Sequence, residues 1–335
     1  MPSSWHALYP ALALIPPALL TIYYYTHFPA APKTLEIYPS LKDASLSDEA
    51  RKRVEEIYPE DIYEGGAWFD TPYGKTRYWL VGPEQGKKVV LIHGISTPSI
   101  IWKDTVSALS AEGYRVLVYD LYGRGYSDAP ATTYTPALYA TQLATLMQHI
   151  KWEKAIIAGV SMGGGVATAF HHWFPHLVDG KVILICSVGL VQPGDFSYKF
   201  KFTSSPLYQA TWNSLPGRAY LRSIADSESH PDPVTELANI QYAYLKGYNP
   251  SIASSLRDGP VCGLSYAFKS LAASNKDVLI IWGTEDDSVP YKYAGIINTL
   301  IPRSKLVTVE GGGHDLTIER PEEVNRALIE FLEAK

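Results

Sequence analysis

The stretch Ala158–Ala167, AGVSMGGGVA, sets one serine among four glycines at the end of an apolar run. Gly159-Val160-Ser161-Met162-Gly163 fits G-x-S-x-G, a pattern that holds a serine on a sharp strand-to-helix turn with its Oγ exposed. Small residues two before and two after the serine let strand and helix approach closely enough for that bend. Gly164 and Gly165 are expected to let the following helix pack closely on the sheet. A free hydroxyl is hardly ionised near neutral pH, so a nucleophilic serine needs a base. Of the nine histidines, His171, His172 and His176 lie along or after the helix that follows Ser161, and His149 closes another helix; these read as surface or packing residues. His314 differs, because it follows the strand-like KLVTVEG within Gly311-Gly312-Gly313, a loop position where catalytic groups collect in open α/β sheets. A carboxylate must also fix the imidazole tautomer and stabilise the imidazolium. Asp286, in WGTEDDSVP after the strand-like DVLIIWG, fits that role, with Glu285 and Asp287 competing for it. Nucleophile, acid, base is the chain order of one fold-specific version of such a triad.

The elements that must position these residues are legible from periodicity. KKVVLIHG, YRVLVYD, KAIIAGV, KVILICSVG, DVLIIWG and KLVTVEG are short apolar runs, as expected for strands buried on both faces of a parallel sheet. AWFDTPYGKTRYWLV reads as two strands joined by a turn at Tyr73-Gly74. Helical patterns alternate with the runs: Trp102, Val106 and Leu109 before Gly113, then TPALYATQLATLMQHI, MGGGVATAFHHWF, and a last helix after Arg320 with Val324, Leu328, Phe331 and Leu332 on one face. This alternation predicts a doubly wound α/β sheet. It breaks between about Leu190 and Asn275 into Tyr-, Phe- and Pro-containing pieces, including the helical candidate VTELANIQYAYLKGY, and this stretch reads as an inserted cap.

Composition bounds the function. The 335 residues are 46% hydrophobic and 19% charged, enough for a large core. The formal net charge is −5, and no Lys/Arg run interleaves with aromatics, which argues against nucleic acid as a partner. GVSMGGG lacks G-x-G-x-x-G spacing and no Lys-Ser/Thr follows, so no nucleotide cofactor is implied. His171 and His172, adjacent on a helix, point about 100° apart and cannot face one ion; no metal-ligand spacing is present. Cys186 lies in the apolar run VILICSV and reads as a buried thiol, and with Cys262 far from it no disulfide framework is indicated.

Residues 1–32 contain no Asp, Glu, Lys or Arg, and LYPALALIPPALLTIYYY is flanked by Trp5 and Tyr9 before and Tyr23, Tyr24 and Tyr25 after. This predicts a membrane anchor through residues 8–28, a single N-terminal span weakened by Pro10, Pro16 and Pro17. Lys33 and Lys42 after it place the catalytic domain in the cytosol. A signal peptide ending near FPAAP, giving a secreted protein, and an apolar arm packed on the domain are the alternatives.

Five motifs, LIHGISTPSIIW, YDLYGRGYSDAP, IIAGVSMGGGVA, LIIWGTEDDSVP and GGGHDLTIERPEEVN, give the chain a resemblance to the α/β-hydrolase superfamily across most of residues 66–190 and 277–335. The resemblance implies the α/β-hydrolase fold, a mostly parallel central sheet flanked by helices with an inserted cap and an N-terminal apolar segment. It divides the chain into the segment 1–32, a linker and leading helical region 33–65, a core of 66–190 and 276–335, and the cap 191–275. It also implies Ser161 as nucleophile, Asp286 as acid, His314 as base, and an oxyanion hole formed by the backbone N–H groups of Ile95 and Met162. The loop reads His-Gly-Ile-Ser and lacks the glycine-rich run of many lipases. Asp120 and Gly123 to Asp128 read as shaping the turn after a strand. The implied reaction is hydrolysis of an apolar acyl ester by water through an acyl-enzyme, with no cofactor or metal, in a branch similar to monoacylglycerol lipases and membrane-bound lipid esterases. Phe200, Phe202, Tyr208, Trp212, Tyr242, Tyr244 and Tyr248 then either line an acyl pocket or form the cap's own core. Two other readings stand beside it. ICSVGL resembles the corresponding stretch of carbon-carbon bond hydrolases of diketone-like substrates, which use the same triad, and the fold also serves non-catalytic ligand receptors.

Overall fold

Strand β7 (Ala155–Val160) is buried at every one of its residues, as an apolar run covered on both faces must be. It lies inside a sheet of eight strands in a computed structural model that describes residues 15–23, 26, 34–195, 202, 205–227 and 230–334. In chain order the strands are β1 (Ile37–Tyr38), β2 (Gly66–Thr71), β3 (Gly74–Val81), β4 (Lys88–Ile92), β5 (Arg115–Tyr119), β6 (Ala129–Pro130), β7, β8 (Val178–Ile185), β9 (Asp277–Gly283) and β10 (Lys305–Val309). The sheet order is β10-β9-β8-β7-β4-β5-β3-β2. Neighbours from β10 to β5 are parallel; β3 joins β5 antiparallel and β2 closes the edge as a hairpin with β3. The sheet is therefore mixed, with its parallel part holding the site. A two-residue antiparallel pairing of β1 with β6, Ile37 against Pro130, has no periodic signal in the sequence because it is too short to alternate.

The helices are α1 (Asp48–Ile57), α2 (Lys103–Ala111), α3 (Pro136–His149), α4 (Met162–Trp173), α5 (Pro206–Asn213), α6 (Leu215–Ser227), α7 (Pro233–Tyr244), α8 (Tyr248–Arg257), α9 (Ser265–Ala273), α10 (Lys292–Leu300), α11 (Leu316–Glu319) and α12 (Pro321–Glu333). Helix α3 starts where the Thr135 side chain accepts from Leu138 N and Pro136 occupies the first turn, where its missing N–H costs nothing. Helix α12 buries Val324, Ala327, Leu328, Phe331 and Leu332 and packs beside α2. Helices α3 and α9 both pack on α4.

Between β8 and β9 the chain leaves the sheet for α5 to α9. This stretch is tied back to the leading region by Arg53 of α1, which donates to the Glu236 carboxylate and the Ala225 carbonyl. Its last helix packs on α4 rather than standing away from the core.

Residues 1–36 form a separate unit. Residues 15–23 are helical and expose Ile15, Leu19, Leu20, Ile22 and Tyr23. Among the described residues no helix is long and apolar enough to cross a membrane. The expected span over 8–28 falls partly on residues outside the described ones, and no helix among the described residues supports it. Trp5, Tyr9, Pro10, Tyr24 and Tyr25 lie outside the described residues.

Candidate active site

Ser161 is the hinge between β7 and α4. Its φ of 53° and ψ of −117° lie where side chains other than glycine are strained, and the strain is held by its surroundings. Ser161 N donates to Ile185 O at 2.8 Å, and Ser161 O accepts from Gly164 N and Val188 N, each at 3.1 Å. The glycines on either side are obligatory for packing: a Cβ on Gly159 would meet Gly163 O at 2.1 Å, and one on Gly163 would meet Ile92 O at 2.1 Å. Gly164 and Gly165 do not serve sheet packing as expected. Gly164 faces Ser187, beyond the end of β8, and Gly165 faces Pro260 O, in the stretch that precedes α9.

Strands β9 and β10 are parallel neighbours, so the loops at their C-terminal ends run side by side and bring Asp286 against His314. His314 Nδ1 lies 2.8 Å from Asp286 Oδ2, and its Nε2 lies 3.0 Å from Ser161 Oγ. With the carboxylate accepting from Nδ1–H, Nε2 is left with its lone pair toward the serine hydroxyl. Asp286 Oδ1 accepts from Ser288 N at 3.0 Å and Val289 N at 2.7 Å, which leaves Oδ2 for the imidazole. Of the three neighbouring acids, Asp286 is the one bonded to His314: Asp287 accepts from the Ser288 hydroxyl, and Glu285 donates its backbone N–H to Gly312 O. Burial disfavours a charged His314, but the hydrogen bond and charge of Asp286, aided by Asp315 and Asp287, outweigh it and hold the imidazole above its ordinary value of 6.5.

The N–H groups of Ile95 and Met162 have no protein acceptor among the described residues, and both residues line a cavity of about 270 Å³ with Ser161 and His314. Met162 N–H is unpaired because it opens a helix. Apolar walls come from Ile101, Val188, Val261 and Val289, and among the described residues the only ionisable side chains at the cavity are His314 and Asp315.

The loop carrying Ile95 is pinned by residues that read in the sequence, at most, as shaping a turn. His93 Nδ1–H donates to Gly94 O at 2.8 Å while its Nε2 accepts from Leu121 N at 2.8 Å. Burial lowers His93 to about 3, so it is neutral, as a ring that both donates and accepts must be. Asp120 accepts from Ser99 N, Tyr126 N and the Tyr58 hydroxyl; burial raises its carboxyl and these bonds oppose the rise. Arg124, within the turn 123–128, donates through Nε to Ile95 O at 2.8 Å. Tyr248 of α8 donates to Ser96 O at 2.7 Å. No periodicity or motif could have signalled the last two, because each reaches a backbone oxygen remote in sequence.

Of the seven aromatics expected at an acyl pocket or in the cap core, none of the six described ones lines the cavity at Ser161. Tyr208, Tyr242 and Tyr248 line a neighbouring cavity of about 250 Å³ that shares Ser96 with the first. Tyr244 is turned to Asp226 and Ser47, Trp212 packs between Tyr208 and Tyr220, and Phe202 is exposed. Phe200 lies outside the described residues. Cys186 is buried as expected, yet it stands one residue beyond β8 with φ of 44°, its sulfur within 4.8 Å of the Asp286 and His314 ligand atoms. Burial and Asp286 push its thiol up, so it stays protonated. A metal ion held by these three would have to break the Asp286–His314 bond. His171 is buried with neither ring nitrogen bonded among the described residues, and burial lowers it to about 4.

The model of the alpha/beta hydrolase family matches residues 89–327. A 2-hydroxy-6-oxo-2,4-heptadienoate hydrolase of Pseudomonas putida is 26% identical over 262 residues, 75% of this chain and 90% of that protein. Among solved structures, a carboxylesterase from Bacillus subtilis superposes with a TM-score of 0.65 at 21% identity, covering 85% of this chain and 96% of that one. A membrane phospholipase A described as a bacterial virulence factor superposes with a TM-score of 0.66 at 20% identity, covering 98% of both chains. At these identities the structural likenesses speak for the fold.

Proposed function

The chain belongs to the alpha/beta hydrolase family, and from that premise we propose that it is a serine hydrolase of neutral carboxylic esters with apolar acyl groups. The observation that carries the reading is the continuous relay from Asp286 through His314 to a strained Ser161 at the wall of an apolar cavity. In this reading His314 Nε2 takes the Ser161 proton as Oγ attacks the carbonyl carbon, and the negative charge that develops on the carbonyl oxygen is met by Ile95 N–H and Met162 N–H. The imidazolium returns its proton to the departing alkoxide, leaving an acyl-serine. Water, deprotonated by the same imidazole, attacks the acyl carbon and releases the acid and the serine hydroxyl.

The second reading, cleavage of a carbon-carbon bond in a diketone-like acid, rests on the likeness to the heptadienoate hydrolase. Against it stands the cavity lining, which offers no Lys or Arg among the described residues to bind a substrate carboxylate and places Asp315 there to repel one. A receptor without turnover has no use for a strained, base-paired serine. In a turnover screen the enzyme is expected to cleave monoacylglycerols and p-nitrophenyl esters at least tenfold faster, in kcat/KM, than a dienoate diketone; the reverse ranking would overturn the ester reading. The stretch 191–275 acts as the cap over this site in the same reading, in the manner of lipid esterases. The uncharged segment 1–32 is proposed to hold the enzyme to a membrane through residues 8–28. The full chain should then pellet with membranes in high salt while a chain beginning at Lys33 stays in the supernatant; equal behaviour of the two would remove the anchor.

A further inference from the structure

We infer that helix α8 sets the geometry of the oxyanion hole, with Tyr248 and Arg124 as its positioning residues; the inference rests on the hydrolase reading above. Three successive carbonyls of the loop are each held by a side chain. Gly94 O is bonded by His93, Ile95 O by Arg124 and Ser96 O by Tyr248. A trans peptide is planar, so its C=O fixes the direction of the N–H on the next residue. Holding Gly94 O therefore aims Ile95 N–H, and holding the following two peptides keeps that plane from rotating.

Two of the three restraints trace to α8. Tyr248 is its first residue, and Ser255 lies seven residues on, two turns further along the same face. Ser255 Oγ accepts from Arg124 Nη2 at 2.9 Å and bonds the Tyr139 hydroxyl at 2.7 Å, while donating to Ser251 O. Arg124 is fully buried, and its recorded partners, Ile95 O, Tyr122 O, the Tyr139 hydroxyl and Ser255 Oγ, are all neutral oxygens. Burying a cation without an anion is costly, and bonds from a charged donor are the strong ones. The guanidinium, which also faces the Tyr134 and Tyr139 rings, is thereby a stiff brace between α8 and the loop, and it holds the peptide next to the one that would meet the oxyanion. Any displacement of α8 moves Tyr248 and Ser255 together and releases both carbonyls, so the helix and the loop carrying the Ile95 donor are mechanically one unit.

The test compares wild type with Tyr248→Phe, which deletes one hydroxyl, and Ser255→Ala, which frees one arm of Arg124. The clamp predicts about a tenfold fall in kcat for each with KM within twofold. The Ki of a trifluoromethyl ketone, which forms an oxyanion at Ser161, should rise by the same factor, while that of the matching alcohol, which does not, stays put. Kinetics and both inhibition constants equal to wild type in the two variants would sink the clamp, as would a change in KM alone. A wild type that turns over no ester removes the hydrolase reading instead, an outcome distinct from unchanged variants of an active enzyme. If one variant fails to fold, judged by its thermal midpoint, the other carries the comparison.

Discussion

Ser161→Ala is expected to lower kcat by a factor on the order of 10⁶, leaving only the residual acceleration supplied by the oxyanion donors and by binding. The loss is this large because the residues of such a relay act as a unit. Once Oγ is gone, His314 has no proton to take and no covalent intermediate forms, so the remaining route is direct attack by water. The substitution removes one oxygen from a residue whose backbone is fixed by Ile185, Gly164 and Val188, so the elbow itself should persist. A fluorophosphonate probe gives the direct measurement, because it attaches covalently to an activated serine. Labelling of wild type and none of Ser161→Ala is the expected pair, with unchanged far-UV circular dichroism. Equal labelling of both, or an alanine variant within tenfold of wild type, would show that the chemistry is elsewhere.

Asp286→Asn is expected to cost about 10⁴ in kcat while sparing the fold. Asp286 Oδ1 can still accept from Ser288 N and Val289 N after the change, but an amide placed at Oδ2 offers a donor where Nδ1–H needs an acceptor. The imidazole is then driven to the tautomer that points a proton at Ser161. Asp287→Asn and Glu285→Gln, which leave the Asp286–His314 bond intact, should stay within about threefold. The pH profile separates a lost base-orienting acid from general damage. His314 must be neutral to act as base, and its environment holds it above 6.5, so kcat/KM of wild type should fall with decreasing pH through a midpoint above 6.5. Asp286 is the largest of the groups raising that value, so in Asp286→Asn the residual activity should titrate at lower pH. A midpoint unmoved by the substitution, or a large loss in Asp287→Asn, would contradict the assignment.

The parts of this protein that were legible in the sequence are those written in local pattern. Apolar runs too short for helices, each ending near a glycine, specify buried parallel strands, and the amphipathic pattern of Val324 to Leu332 specifies α12. The G-x-S-x-G pentapeptide is equally local as a pattern, and the clash that requires Gly159 lies within the turn itself, whereas Gly163 is required by Ile92 O at the end of β4. The chain order Ser161, Asp286, His314 joins these pieces into one candidate site. Membrane crossing is not legible in the same way: apolar composition over 8–28 fixes neither helix length nor continuity, and Pro16 and Pro17 lie near its middle.

What only the tertiary structure decided depends on which strand lies beside which. Sheet order places β9 next to β10 and so brings their loops together, and the local bonds of that loop turn Asp286, rather than Glu285 or Asp287, to His314, three acids that are chemically interchangeable in the sequence. Contacts of α8 with a loop more than 150 residues earlier, Tyr248 to Ser96, turned an aromatic that read as acyl-pocket or cap core into a brace for a backbone carbonyl. Arg124, one residue of a turn by pattern, became a buried cation joining that loop to the same helix. Composition and period report what each segment must bury. They carry no record of which backbone oxygen a distant side chain will reach, because that is fixed only when the layers pack.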